Sequence, residues 1–501
     1  MSRLLLLYIL LLSFVLNAHF CKSQEIERPN ILWLTSEDNN IDWVGCYGNP
    51  NAETPNIDAL AEEGFQYMHC YANAPVCSPQ RSTWITGIHA ISMGTHPMRS
   101  RNPIPHDIIS YYPDFLKDAG YFVSNGRKTD YNIGGREDKE CWDNMDTNNR
   151  GQSVVEWESL KQNQPFFKVI NFFDSHESRA HGDVDNTIHD PEKTSLHSYH
   201  PDIPQIRKNY AKYHDAVKRM DNQIGIALKK LEELGLSGNT IVIYNSDHGG
   251  VMPRSKRYLF PSGIHCPLIV RIPEKYKDFY PADRPGDSVN RIVSFIDMPK
   301  TWLSLAGADI PDYMQGTIFL GDGMEKEEEY HFAFRGRMDE RNENARAVYD
   351  KDFVYIRNYM PYVPWVQHLN TMWEIKTSIA WEEYVKSGKA SIEQSKFLYP
   401  KIYTEEFYSL KEDWDNTNNL IDDPVYTDKI LSMRKALRSW QLEIFDSGLL
   451  PESEMIKRAN EHNTTIYEMA RDPKIYDLHA LLDAADLAMQ EDPNNIDLLR
   501  S

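Results

Sequence analysis

PNILWLT, residues Pro29–Thr35, is an apolar run closed by the polar stretch Ser36–Asn40 (SEDNN). An apolar segment of this length, bounded by a proline and polar residues, predicts a strand buried on both faces. Such strands sit inside parallel sheets covered by helices on either side. The pattern recurs at Tyr121–Ser124, Pro165–Phe173 (PFFKVINFF), Asn239–Asn245 (NTIVIYN) and Pro267–Ile272 (PLIVRI). Helical periodicity fills the gaps. Thr54–Gly64 opens with a cap residue and a proline and closes on glycine, and Asp114–Gly120 and Asn209–Gly235 follow the same logic. Strands alternating with helices predict an α/β fold with a large, mostly parallel central sheet. The pattern changes near residue 328. Ala347–Arg357 reads as paired antiparallel strands and Thr427–Phe445 as an amphipathic helix. The expected division is therefore a catalytic α/β domain over 28–328, a smaller C-terminal α+β subdomain with an antiparallel sheet over 329–470, and an acidic helical tail over 471–501.

The chain has 501 residues and a formal charge of −20, which argues against nonspecific binding to nucleic acid or anionic lipid. A local basic cleft could still receive a polyanion. At the N-terminus, Arg3 precedes the apolar run Leu4–Leu16, which is too short to span a bilayer comfortably. This reads as a signal peptide over 1–23, cleaved after Ser23, and implies a secreted or periplasmic protein. A lipoprotein anchor at Cys21 fits poorly, because Ala18-His19-Phe20 lacks the small residues that lipid attachment wants. No later segment is long and apolar enough for a membrane span. The remaining cysteines are Cys46, Cys70, Cys77, Cys141 and Cys266. Their default is the small buried hydrophobe, and pairing among Cys46, Cys70, Cys141 and Cys266 is not readable from sequence.

In α/β sheets, ligands gather outside the carboxyl ends of the strands. Three polar clusters stand there: Glu37-Asp38, His176, and Asp247-His248. Converging carboxylates and histidines can hold a divalent metal, and oxygen-rich ligation favours Ca²⁺ or Mg²⁺ over zinc. Any one of them alone could be a helix cap. A fourth stretch is more specific: Cys77-Ser78-Pro79-Gln80-Arg81-Ser82-Thr83-Trp84-Ile85-Thr86-Gly87. It resembles the signature of the formylglycine-dependent (type I) sulfatases, in which Cys-X-Pro-X-Arg opens a short helix that closes near Thr-Gly. Asn30–Asp38, Tyr244–Gly249, Arg254-Ser255-Lys256, Gly263–Arg271, Val293–Gly307, Tyr349–Arg357 and Phe407–Asp422 resemble further segments of that family in the same order.

The resemblance implies an alkaline-phosphatase-like sandwich. It also implies modification of Cys77 to formylglycine (3-oxoalanine) by a maturase, and one Ca²⁺ held by Glu37, Asp38, Asp247, His248 and residue 77. The hydrated aldehyde would attack sulfur. Arg81, Lys128 and Lys256 would counter the sulfate charge, and His176 would be the general acid, its pKa set near neutrality. Three departures stand out: Glu37 where aspartate is usual, Gln80 where serine or alanine is usual, and Lys128-Thr129-Asp130 where the family's lysine is followed two residues on by histidine. His96, Arg99 and Arg101, with Arg179 and Arg257, read as a basic rim for substrate or as ordinary surface ion pairs. The text around these motifs resembles secreted bacterial polysaccharide sulfatases of the heparan N-sulfatase-like kind. That resemblance implies a sulfated polysaccharide or oligosaccharide partner, with algal ulvan one typical target. Separately, a nucleophile at the bottom of a pocket beneath loops from several strand ends is reached end-on by a terminal sugar, so attack at chain ends is expected. Two rivals remain: a phosphodiesterase or phosphonate monoester hydrolase on the same fold, and an idle carbohydrate-binding homologue.

Overall fold

The computed structural model describes residues 28–126, 128–146, 155–490 and 495. The signal peptide read at 1–23, with Cys21, lies outside them, as do 491–494 and 496–501 of the tail. The central sheet has eight strands: β1 (Asn30–Ser36), β2 (Phe65–Tyr71), β3 (Phe122–Asn125), β4 (Asn144–Met145), β5 (Phe166–Phe172), β6 (Thr240–Ser246), β7 (Leu268–Arg271) and β8 (Ser288–Ser294). Their order is β4–β3–β5–β1–β6–β7–β2–β8. The PNILWLT run is β1, buried along its whole length. It pairs in parallel with both neighbours, Ile31 standing between Phe167 and Ile241. Burying each large apolar side chain here contributes about 1.5–3 kcal/mol. Leu34, fully buried, would cost about 2–5 kcal/mol on truncation to alanine.

The covering helices are α1 (Pro55–Glu62), α2 (Cys77–Thr86), α3 (Tyr112–Asp118), α4 (Pro204–Glu233) and α5 (Asp297–Ala306). They fall into two packed groups, α1 with α4, and α2 with α3 and α5. Trp33 of β1 meets Trp84 of α2 and Trp302 of α5 edge-on, with ring centroids 4.8 and 5.5 Å apart. The fold is the α/β sandwich expected, with differences in detail. β7 runs antiparallel to both its neighbours, because a short apolar run satisfies either direction equally. β2 and β8 were not legible as strands. Gln66 and His69 interrupt the first, and Ser288 and Asn290 reach solvent in the second, so neither is a continuous apolar run. α4 begins at Pro204, earlier than Asn209, with the proline in its first turn.

A second sheet follows: β9 (His331–Arg335), β10 (Ala345–Tyr349), β11 (Phe353–Asn358) and β12 (Glu405–Ser409), antiparallel throughout. Helix α6 (Thr427–Glu443) closes it, packing Ile430, Met433, Leu437 and Trp440 against Val348, Tyr355 and Phe407. The same cluster takes in Ala74, Ala90 and Ile91 of the first unit. The Phe334 amide donates to the Asn73 carbonyl at 2.9 Å. The second sheet is thereby fastened to the segment that leads into Cys77. Helices α7 (Glu452–Glu461) and α8 (Leu478–Ala488) share an apolar cluster around Met455, Met469 and Leu482, which runs across the 470/471 boundary drawn from composition. Among the described residues no helix is long and apolar enough to cross a membrane, and Cys46, Cys70, Cys77, Cys141 and Cys266 are all free thiols.

Candidate active site

Helix α2 carries Cys77 as its first residue, and all ten of its side chains are buried. A helix so polar can be buried because its polar groups find partners. Ser82 Oγ donates to the Tyr131 carbonyl at 2.7 Å, and Ser78 Oγ to Asp130 Oδ1 at 3.0 Å. Gln80, a departure from the family pattern, has a local reason. Its Oε1 accepts from the amides of Asn73 and Ala74 at 2.8 and 3.0 Å, fixing the approach to Cys77. Gly87 ends the helix in the left-handed region at φ +70, donating to the Thr83 carbonyl. Cys77 thus sits at the positive end of a helix, where anionic charge is favoured.

Around it stand three buried acids, each paired with a different cation. Asp247 Oδ2 accepts from Arg81 Nε and Nη2 at 3.1 and 3.0 Å. Asp38 Oδ2 takes Lys256 Nζ at 2.7 Å, and Glu37 Oε2 takes Lys128 Nζ at 3.2 Å. The two aspartates turn their other oxygens inward. Asp38 Oδ1 lies 3.0 Å and Asp247 Oδ1 3.6 Å from His248 Nε2. Cys77 Sγ lies 3.2 Å from the same nitrogen and 3.8 Å from Asp38 Oδ1. The strand ends supply this convergence. Asp38 follows β1, Asp247 and His248 follow β6, and the Asp38 amide donates to Asp247 Oδ1 at 3.1 Å. Gly249 is required next, since a Cβ there would meet the Ser262 carbonyl at 2.2 Å.

Asp38, Cys77, Asp247 and His248 each offer one ligand atom, all within 4.8 Å of one another. Glu37 stands outside that group, facing Lys128. Burial, with Asp247 and Asp38 nearby, outweighs Lys128 and leaves the Glu37 pKa raised. Burial works to lower the His248 pKa, yet Asp247, Cys77 and Asp38 push it up to about 10. Two buried aspartate oxygens, the His248 imidazole and the residue 77 side chain, all within 4.8 Å of one another, form a donor set that a divalent cation can take. His248 Nδ1 lies 3.0 Å from the Gly249 carbonyl, which fixes Nδ1 as donor and leaves Nε2 as the ligand atom. The residues fit the metal.

His176 reaches the same centre from the loop after β5. Its Nε2 is 4.0 Å from both Glu37 Oε2 and Asp38 Oδ2. Nδ1 accepts from the Ser178 amide at 3.3 Å and contacts Ser178 Oγ at 3.0 Å. A neutral ring held that way carries its proton on Nε2, toward the site. Phe173 stacks on the imidazole at 4.5 Å and 14°. The sequence reading expected a pKa near neutrality. Instead burial lowers it to about 4, against the pull of Asp38.

Two of the five rim residues do not belong to a rim. Arg257 is 1% exposed and engaged by Glu177 and Asp339. His96 is buried against Phe334, and burial lowers its pKa to about 3, so it bears no charge. Arg99, Arg101 and Arg179 are exposed. Arg99 and Arg101 adopt left-handed backbone at φ +63 and +52, in a loop whose Met98 packs on Val76, the residue before Cys77. Arg179 lies over the Phe173 ring at 5.2 Å.

Sequence reading missed Asn125 and Asn171. Arg81 Nη1 donates to Asn171 Oδ1 at 2.9 Å. Asn171 Nδ2 donates to Asn125 Oδ1 at 3.0 Å, and Asn125 Nδ2 to the Lys128 carbonyl at 3.0 Å. Polar residues near the ends of two neighbouring strands were the only available signal. Asp130, where the family has histidine, faces Ser78 and, at 3.6 Å, Lys128.

The sulfatase family model matches residues 29–308. A protein of Formosa agariphila described as an ulvan-active sulfatase is 32% identical over 504 aligned residues, covering 90% of this chain and 80% of its own length. Among solved structures, a 2-O GAG sulfatase superposes with TM-score 0.61 at 16% identity, over 84% of this chain and 93% of its own. The phosphonate monoester hydrolase of Agrobacterium radiobacter superposes with TM-score 0.58 at 16% identity, over 84% and 97%. These two structures are similar in fold alone.

Proposed function

Because the chain belongs to the sulfatase family, a family of sulfuric ester hydrolases, we propose that it removes sulfate from a sulfated polysaccharide, ulvan or its oligosaccharides, acting at chain ends. The observation that carries the reading is the ring of three acid–cation pairs around Cys77 at the start of α2. The ulvan-active relative at 32% identity supports the substrate class. Among the described residues one group of four could hold a metal, which supports a one-metal sulfatase over a two-zinc phosphatase.

In this reading Asp38, Asp247 and His248 hold one calcium ion beside residue 77, with Glu37 at the edge. Formylglycine at position 77 would supply a hydrated carbonyl as nucleophile, and calcium the positive charge that favours an anionic oxygen. Arg81, Lys128 and Lys256 bind the sulfate oxygens and meet the charge that grows in the transition state. Their acid partners keep them oriented, so little reorganisation is needed when substrate arrives. As general acid His176 would give its Nε2 proton to the leaving sugar oxygen from the imidazolium form, which an incoming anionic ester favours; as the neutral ring, its Nε2–H would hydrogen-bond that oxygen. Arg99, Arg101 and Arg179 meet neighbouring sugars or sulfates. A maturase converts Cys77, and the protein acts outside the cytoplasm.

Two measurements test this. Intact mass of the purified protein should fall about eighteen mass units below the encoded value, a loss thiol oxidation does not produce. Ion chromatography should find free sulfate released from lyase-cut ulvan. A converted protein that releases no sulfate from any sulfated oligosaccharide would favour the idle homologue instead.

A further inference from the structure

Lys256 has two carboxylate partners, and only one belongs to the metal group. Its Nζ lies 2.7 Å from Asp38 Oδ2 and 3.2 Å from Glu177 Oε1. Glu177 is itself gripped by both arms of Arg257, at 2.8 and 2.9 Å. Arg257 Nε reaches Asp339 Oδ2 at 2.6 Å. The five side chains form a row of alternating charge: Asp38, Lys256, Glu177, Arg257, Asp339. Its middle is sealed, with Lys256, Glu177 and Arg257 at 3%, 5% and 1% exposure. Arg257 and Asp339 both sit in left-handed backbone, at φ +79 and +49. The Arg257 amide donates to the Pro75 carbonyl at 2.7 Å, just ahead of Cys77. A strained, bidentate, buried arrangement of this kind holds its members in one geometry.

We propose that Glu177 is a positioning residue that shares Lys256 with Asp38, and that Arg257 and Asp339 anchor Glu177 in place. The proposal rests on the sulfatase reading of this site. The reasoning concerns Asp38. Its Oδ2 already accepts from the Glu177 amide at 2.7 Å as well as from Lys256, while Oδ1 faces the metal group. An ammonium with Asp38 as its sole partner would settle fully on that carboxylate. It would draw charge away from a metal and withdraw its own N–H groups from a sulfate. The Glu177 carboxylate counters both effects by giving Lys256 a second acceptor. One turn of chain, His176–Arg179, therefore supplies the candidate acid, the hydrogen bond that aims Asp38 and the carboxylate that shares Lys256.

The test uses 4-nitrophenyl sulfate as the turnover probe and calcium titration of the calcium-stripped protein by calorimetry. Glu177→Gln should lower kcat about tenfold or more, with KM changing less. It should also weaken calcium binding by about tenfold, the usual scale for residues that orient metal ligands. Adding Lys256→Met to Glu177→Gln should return calcium affinity to within about twofold of the parent protein, while kcat stays low. Glu177→Asp, which keeps the charge, should recover part of both losses. Unchanged calcium affinity in Glu177→Gln, or a double variant that binds no better than the single, overturns the proposal. If Glu177→Gln does not fold, the double variant should, since it removes opposite charges together; failure of both also overturns it. A parent protein inert toward every sulfate ester would sink the sulfatase reading, whereas the calcium arm reads Glu177 independently of turnover.

Discussion

Replacing Arg81 by lysine keeps the charge and removes the geometry, so it separates the two contributions to the site. The guanidinium is 3% exposed and makes three fixed contacts: Nε and Nη2 to Asp247 Oδ2 at 3.1 and 3.0 Å, and Nη1 to Asn171 Oδ1 at 2.9 Å. An ammonium is a point charge and cannot reproduce the fork, so at most one of those contacts survives. Hydrogen bonds to charged groups are worth about 1.5–3 kcal/mol each, so losing two costs about 3–6 kcal/mol. If that loss falls on the transition state, kcat/KM drops by about two to four decades at 1.36 kcal/mol per decade. The assay is kcat/KM on 4-nitrophenyl sulfate at saturating calcium. Intact mass is read on the same sample, so that only protein with a converted residue 77 is counted. Thermal unfolding should shift downward as well, because Asp247 Oδ2 is left under-satisfied in a buried place. A decrease below tenfold in fully converted Arg81→Lys would refute the reasoning, since charge alone would then account for the role of Arg81.

Cys77→Ala should abolish sulfate release while leaving calcium binding detectable and the melting temperature within a few degrees; retained turnover would exclude residue 77 as nucleophile. Chelation should remove activity, calcium should restore it, and elemental analysis should find one calcium per chain, two zinc ions per chain being the contrary result. Stability should fall in mild acid. Burial lowers the pKa of His89, His96, His265 and His331 to about 3. The unfolded chain, with histidine near 6.5, therefore takes up protons that the folded chain refuses. The contribution is complete above about pH 6.5 and declines as pH falls toward 3, by about 1.4 kcal/mol per unit for each ring. Asp297, raised by burial to about 6, acts in the opposite sense but offsets roughly 1.4 kcal/mol between pH 7 and 5. A urea midpoint that does not move between pH 7 and 5 would contradict this. Lyase-cut fragments should release sulfate faster than intact polymer, and Arg99→Ala should weaken kcat/KM by about tenfold; equal rates on both substrates would reject the chain-end preference.

The fold was legible where burial on both faces makes a strand mostly apolar along its length. β1, β5 and β6 are such strands, and their neighbours in sequence set the α/β class. Edge and mixed strands escaped because half their residues meet solvent or polar partners, as Gln66 and Asn290 do. Direction escaped for β7, since hydrophobicity carries no arrow. In the site, Asp38, Asp247 and His248 after strand ends and Cys77 at the start of a helix stand together, whereas Glu37, grouped with them in sequence, faces Lys128 instead. Roles that depend on which way a side chain turns were not legible. Arg257 and Arg179 look alike in sequence. One is gripped by Glu177 and Asp339, and the other lies in solvent over Phe173. Local spacing could not distinguish them, because the partner Asp339 is far along the chain.

The pairing of acids and cations also bears on which ester the site suits. Glu37, Asp38 and Asp247 carry three negative charges if ionised, and Lys128, Lys256 and Arg81 three positive ones, pair by pair. Glu177 and Arg257 cancel alongside them. A buried place tolerates charge only when it is matched. Once a cation replaces the proton on His248, these pairs are balanced by their own side chains, with Asp130 and Asp339 at the partly exposed margin. One divalent cation then adds two positive charges. A monoanionic ester meeting one anionic nucleophilic oxygen returns two negative charges, and the balance is restored. A phosphate monoester, dianionic near neutral pH, would leave one charge uncompensated in a low-dielectric pocket, where the Coulomb penalty is several-fold larger than in water. Sulfate esters are monoanions, and so are phosphonate monoesters. Charge therefore argues against a phosphomonoesterase but does not divide the two monoanionic classes. That division rests on the 32% identical relative, which covers 90% of this chain, because a fold match at 16% identity extends to both.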